Sequence, residues 1–232
     1  MTSPHLNNQL LAKLDAATFA AIEPHLMNAR LNVADVLAET HDTVQRVYFP
    51  HEGIISCVVE LIGGGAIETG MVGKDGQFGA GPALDHKISL NYVVIQVAGN
   101  ASVIDSDRFR QIAQDNPKLR EMVVRYEQFF LAQVQQTAAC NAVHHVHSRT
   151  CKWLLRMQKL VGNDLSLTQE FLAQMMGVQR TSVTQVAQDL QGTGMISYSR
   201  GRIHIKDLAQ IQQRACECDA AINSHYDAIF AR

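Results

Sequence analysis

The apolar positions of this chain change their spacing three times. In LNNQLLAKLDAATFAAIEPHLM, residues 6–27, they recur near every 3.6 positions and break around Pro24, which predicts one or two short helices. From Ala29 to Ile104 they come in short runs instead: ARLNV, QRVYF, GIISCVVEL, AIETGMV, NYVVIQV and ASVID. Turn formers such as HEG, GGG, GKDG and AGN divide the runs, so this part reads as many short strands, an all-β barrel or jelly roll.

The pattern then lengthens. Between Asp107 and Lys159 stand one proline, Pro117, and no glycine, a composition suited to long helices. Leu119, Met122, Val123, Tyr126, Phe129, Phe130, Val134 and Thr137 form an apolar stripe that drifts along one side. A long helix with such a stripe needs a cover. One solution is the same helix of a second subunit, with Met122, Tyr126, Phe129, Phe130, Val134 and Thr137 at the seam of a parallel dimer. The other is packing of the stripe on the chain's own β domain.

After Gly162, Asn163 and Asp164 the spacing shortens once more, in LTQEFLAQMMGVQRTSVTQVAQDLQGTGMISYSRGRIHI, residues 167–205. Thr168 caps a first helix, with Glu170 in its first turn, and Gly177 supplies the positive φ of a tight turn. In the second helix Val183, Val186, Ala187 and Leu190 point inward, leaving Arg180, Thr181, Thr184, Gln185 and Gln188 outward. A face of Arg, Thr and Gln without an acid suits base edges in a major groove, because Arg forks onto guanine and Gln onto adenine. The expected base readers are therefore Arg180, Thr181, Thr184 and Gln185. Thr168, Ser182, Arg200 and Arg202 are the expected backbone contacts, the two arginines lying at the tip of a hairpin through Ser199-Arg200-Gly201. The closing stretch, DLAQIQQRACECDAAINSHYDAIF, reads as one amphipathic helix with Leu208, Ile211, Ala215 and Ile222 near one face.

Charge sharpens this reading. The chain carries 20 Lys+Arg against 22 Asp+Glu, a formal net charge of -2. Residues 1–148 hold 10 basic and 15 acidic side chains, a net of -5, whereas residues 149–206 hold 8 and 3, a net of +5. The acidic total hides a basic segment, and a polyanion responds to the local field. With 47% hydrophobic and 18% charged residues the composition is that of an ordinary globular protein. No apolar run reaches the roughly 18 residues of a membrane span and the start lacks a signal-peptide pattern, so a cytoplasmic protein without membrane contact is expected. Five scattered cysteines suggest reduced thiols. An enzyme is not expected, since there is no nucleophile motif and His41, His51 and His86 stand in turn-like settings.

Residues 167–205 resemble the winged helix of the cyclic-AMP receptor protein and Fnr (Crp/Fnr) family of bacterial transcription regulators. VYFPHEGIISCVVELIGGGAIETGMVGKDGQFGA, residues 47–80, resembles the family's sensory jelly roll. The resemblance covers nearly the whole chain and implies an α+β fold in three parts. These are a cyclic-nucleotide-binding-like β jelly roll with N-terminal helices over 1–115, a dimerisation helix over 116–144, and a winged helix-turn-helix with a C-terminal helix over 145–232. It also implies a homodimer that binds a two-fold symmetric DNA operator and influences RNA polymerase; no cofactor is expected. Without the reader's DNA role, the β domain would serve as a protein-interaction module.

Several departures qualify the likeness. Cyclic-nucleotide-binding members follow Phe-Gly with Glu and, further on, an arginine that grips the phosphate. Here Phe78-Gly79 leads to Ala80, and LDHKISLNYVVIQV has no arginine, only Lys87 as a cation. A point charge is a poor substitute for a planar fork, so cyclic AMP is not the expected signal. Phe78, Gly79, Ala80 and Lys87 are left as the pocket of some other small-molecule effector. No cysteine precedes Cys57, so the N-terminal iron-sulfur cluster of Fnr does not carry over. Of the recognition-helix residues in members closest to the cyclic-AMP receptor, only Arg180 matches, and the operator should differ. Cys140, His144, His147 and Cys151, at i, i+4, i+7 and i+11, would share one face of an unbroken helix and could bind zinc or sense oxidation. The family's hinge near Ala142 to Val146 would part them, which favours simple packing there, with no metal. Cys216 and Cys218, two apart on the expected terminal helix, would diverge.

Overall fold

The structure, a computed structural model, describes residues 3–85 and 88–231. Two short helices open it, α1 (Gln9–Ala12) and α2 (Ala16–Ile22). Asn8 and Asp15 cap them, each accepting two backbone N–H groups that the first turn would otherwise leave unsatisfied. Strands β1 (Met27–Leu31), β2 (Val36–Ala38), β3 (Arg46–Pro50), β4 (Ile54–Glu60) and β5 (Ala66–Val72) follow. A four-residue helix, α3 (Ala80–Ala83), precedes β6 (Tyr92–Val97) and β7 (Gly99–Asp105). The strands form two sheets, ordered β1-β7-β3 and β2-β6-β4-β5. Between them lies a core of Leu31, Ile55, Val72, Val93, Ile95 and Val103 with their buried neighbours. Of the strands, β2 has no counterpart among the expected apolar runs, because three residues give no readable period.

Two helices come next, α4 (Ser106–Asp115) and the 27-residue α5 (Pro117–Val143). The apolar stripe of α5 is covered within its own chain. Met122, Val123, Tyr126 and Phe129 are buried at 7%, 1%, 1% and 1% exposure, and Phe130 packs on the β core. Tyr126 lies so close to Gly76 that a Cβ there would collide with its ring. The seam expected at Met122, Tyr126 and Phe129 is therefore corrected: these side chains already hold α5 to the jelly roll. What α5 leaves in solvent is Val124 at 63% exposure, Leu131 at 56% and Val143 at 70%.

The remainder is α6 (Val146–Val161), β8 (Asp164–Ser166), α7 (Gln169–Met176), α8 (Arg180–Gly192), β9 (Ile196–Ser199), β10 (Arg202–Ile205), α9 (Leu208–Arg214) and α10 (Cys218–Phe230). The three strands form one antiparallel sheet ordered β8-β10-β9. The expected single terminal helix is corrected to two. Ala215 is extended at φ -68, ψ 152 and ends α9, and Cys216 lies outside both helices.

Contacts divide the chain into two units. One comprises the residues up to Cys57 with Met71–Phe130; the other comprises Val58–Gly70 with Leu131 onward. These limits differ from the expected boundaries at 115/116 and 144/145, because α5 contributes to both units and the β4–β5 tip groups with the second. Within that second unit Glu68 accepts a buried hydrogen bond from the Trp153 indole N–H at 2.9 Å, and Ile67 lies against Gly177. No described helix is long and apolar enough to cross a membrane.

Candidate nucleic-acid interface

The reader begins at Thr168, whose hydroxyl accepts the Phe171 N–H at 3.1 Å and so caps α7. Leu172, Ala173, Met175 and Met176 are buried, and Gly177 ends the helix at φ 63, a conformation that a side chain would strain. The Val178 N–H reaches back to the Ala173 carbonyl at 3.0 Å, closing the turn. α8 then buries Val183, Val186, Ala187 and Leu190, the four positions its spacing marks as inward. Arg180, Thr181, Gln185 and Gln188 consequently point to solvent.

Two of the expected contact residues are differently placed. Thr184 is half-buried, and its hydroxyl has two acceptors for its one proton, Gln169 Oε1 at 2.7 Å and the Arg180 carbonyl at 3.0 Å. It locks α8 to α7, so the expectation of Thr184 as a base reader is corrected: its donor is already engaged. Ser182 lies half-buried in the first turn of α8. Gln179, the residue before that turn, makes no side-chain cap, so it brings no acceptor to compete with an incoming anion at the helix N-terminus. Arg180 lies 3.3 Å from Glu170, with both side chains about two-thirds exposed. An ion pair so open to water is worth about 0–1 kcal/mol and yields easily to a phosphate or a guanine edge.

The hairpin tip is unusual. Arg200 has φ 48 and Gly201 φ 74, both in the left-handed region, which gives the two-residue turn the backbone signs of a type I′ hairpin. The first of these positions normally favours Asn, Asp or Gly, yet an exposed arginine occupies it, with exposed Arg202 following on β10. Behind the tip the sheet is pinned by β8, which the sequence pattern missed. There His204 Nδ1 lies 2.8 Å from Asp164 Oδ1.

The other expected residues scatter. Phe78 pairs by backbone with Tyr48, their rings stacked 6.3 Å apart, and Gly79 has φ 95. Ala80 is fully buried and its N–H is taken by Gln77, so this position offers a pocket no polar atom. Lys87 and His86 lie outside the described residues.

α5 ends at Val143 and α6 starts at Val146, with His145 extended between them, so Cys140 and His144 part from His147 and Cys151. His147 faces Asp189 at 2.9 Å, and with Arg214 2.6 Å away it holds the Asp189 carboxyl below the usual range. Burial pushes the Cys151 thiol up to about 11. The neighbours Cys140 and His144 do acquire are Cys216 and Cys218, because the break at Ala215 turns both C-terminal cysteines toward them.

Jelly roll, long helix and winged helix-turn-helix follow one another in this chain, the order of parts found in solved structures of the Crp/Fnr type. Residues 148–214 match the family model of the Crp-like helix-turn-helix domain. No curated protein sequence matches the chain. Among solved structures, a protein described as a transcriptional regulator of the Crp/Fnr family from Eubacterium rectale superposes with a TM-score of 0.68 at 16% identity, covering 90% of this chain and 98% of that one. The c-di-GMP-responsive global regulator CLP of Xanthomonas campestris gives 0.65 at 17%, covering 82% and 99%. FixK2 of Bradyrhizobium japonicum gives 0.70 at 10%, covering 82% and 98%. Residues 148–214 thus belong to the Crp-like helix-turn-helix domain family, and the chain has the fold of a Crp/Fnr-type transcriptional regulator.

Proposed function

We propose that this protein is a sequence-specific DNA-binding transcription regulator that acts as a homodimer on a two-fold symmetric operator. The observation that carries the reading is the solvent face of α8, where Arg180, Thr181 and Gln185 are exposed and Asp189, one turn beyond Gln185, is engaged by His147 and Arg214, together with a wing tipped by exposed Arg200 and Arg202. In this reading α8 enters the major groove. Arg180, Thr181 and Gln185 read base edges, while Thr168, Ser182, Arg200 and Arg202 hold the backbone. Pairing through the exposed side of α5 would set two such helices about 34 Å apart, one turn of duplex. RNA polymerase is the partner a regulator of this type would engage. Any effector in the β domain would be chosen by groups other than a phosphate-gripping arginine, and cyclic AMP is not the fitting ligand.

The test separates reading from holding. On the preferred operator, recovered by genomic footprinting, Arg180→Ala should cost about 1–3 kcal/mol and relax preference at one position. Arg200→Ala should weaken operator and random duplex alike and lower the slope of log K against log salt by about 1. Equal losses on both duplexes for Arg180→Ala would refute the division of labour.

A further inference from the structure

At the foot of α5, Cys140, His144, Cys216 and Cys218 bring three sulfurs and an imidazole nitrogen to within 4.8 Å of one another. The cysteines are buried and the histidine is half-buried. Cys140 on α5 and His144 just past its end are one turn apart, the His144 N–H still bonded to the Cys140 carbonyl at 3.1 Å, so both side chains face the same way. Cys216 and Cys218 straddle the break between α9 and α10, and Glu217 between them is exposed. We propose that these four residues bind a zinc ion as a Cys3His site that clamps the foot of α5 to the α9–α10 junction.

Distances fit this assignment. With zinc bonds of about 2.3 Å to sulfur and about 2.0–2.1 Å to nitrogen, a tetrahedron has edges of about 3.8 Å between sulfurs and about 3.5 Å from sulfur to nitrogen. Cys140 Sγ and Cys216 Sγ are 3.6 Å apart, and Cys218 Sγ lies 3.6 Å from His144 Nδ1. No separation exceeds 4.8 Å, so closing the tetrahedron needs only a modest inward turn of a side chain.

The surroundings fit as well. His144 Nε2 lies 3.2 Å from Glu217 Oε1. A proton held on Nε2 by that carboxylate leaves the Nδ1 lone pair directed at the sulfurs, the carboxylate–histidine–metal arrangement that orients zinc ligands. Gln136 Nε2 donates to Cys218 Sγ at 3.1 Å, a contact that holds the sulfur in place from outside the cluster. Four such donors do not converge to satisfy one another, since thiols are weak hydrogen-bonding groups.

The clamp has a mechanical consequence. α9 and α10 both pack on α6, which in turn packs on α8 of the reader, so closing the site would fix the reader's support against the end of α5. The sequence-derived grouping with His147 and Cys151 makes a competing assignment, which the same experiment tests.

Full-length protein, reduced and freed of metal, should take up one zinc per chain, and Co2+ in its place should give the ligand-field and thiolate charge-transfer bands of a tetrahedral site. Cys151→Ser should keep both the stoichiometry and the spectrum, whereas Cys218→Ser and Cys140→Ser should lose the tetrahedral spectrum. Glu217→Gln should weaken zinc binding by about 10–100-fold without changing the stoichiometry at saturation. Absence of a thiolate-rich cobalt spectrum in the unaltered protein would overturn the proposal even if the variants fail to fold. So would a spectrum that survives Cys218→Ser or disappears with Cys151→Ser.

Discussion

Arg200 shows how a single residue reports a purpose that packing does not explain. Its φ of 48 places a long, β-carbon-bearing side chain where the turn asks for Asn or Gly, at a cost on the order of 1 kcal/mol. The strain makes sense if the guanidinium is needed at the hairpin tip. Arg200→Asn should therefore raise stability by about 1 kcal/mol, seen as a higher melting temperature, while it weakens binding to every duplex. A variant that lost stability as well as DNA affinity would mean that the arginine supports the hairpin itself. Much at this scale was legible beforehand. Thr168 as cap, Gly177 as turn and the inward set Val183, Val186, Ala187 and Leu190 follow from side-chain chemistry acting over a few residues. Thr184 was not, because its engagement depends on Gln169, fifteen positions away on another helix.

Among elements, the N-terminal turn ahead of α1 is tied to the sheets by a buried polar bridge. His5 Nδ1 and His51 Nε2 each lie 2.6 Å from the Ser102 hydroxyl oxygen, and all three residues are buried. One hydroxyl proton serves one acceptor, so one imidazole donates to the oxygen and the other accepts from it. Protonating both would leave the serine donor without a partner and set two cations near each other. Burial lowers both histidines below 6.5, with their mutual repulsion adding to the effect on His51 and with Glu23 and Glu52 opposing. Since the folded state resists protons that the unfolded chain accepts, stability is full above 6.5 and falls as pH drops through the lowered values. The melting temperature should decline between about pH 7 and pH 5, and His5→Asn should flatten that decline. An unchanged slope in the variant would show that other groups govern acid stability.

Element limits were legible where a period ran long enough, as for α5, α7 and α8. They were not where three residues make a strand, as in β2 and β8, or where a helical pattern runs on through a break. Nothing in RACECDA announces that Ala215 is extended, and the reading of Cys216 and Cys218 as divergent failed with that assumption.

For the whole molecule, α5 raises the question of what an amphipathic helix covers. Its aromatic side is spent within the chain, on the β core, so the apolar stripe read from the sequence is real but faces inward. Pattern alone gives the width of a stripe and not the identity of its partner, which is why the expected seam fell on Tyr126 and Phe129. A weaker second line remains in solvent, with Val124 and Leu131 seven residues apart, exposed Ala138 at the next heptad, and Val143 beyond. Seven-residue spacing with small residues toward one end suits two like helices meeting along a narrow seam. If that line joins two copies, Leu131→Glu should yield monomers by sedimentation while the far-ultraviolet circular dichroism stays unchanged. Each reader would then bind its half-site alone. Affinity for the two-fold operator should drop by about 10²-fold or more, since linkage supplies that much effective concentration, while affinity for an isolated half-site should hold. A monomer with full operator affinity would show that the reader needs no second copy. A dimer that persists would move the seam off Leu131, toward another exposed face of the molecule.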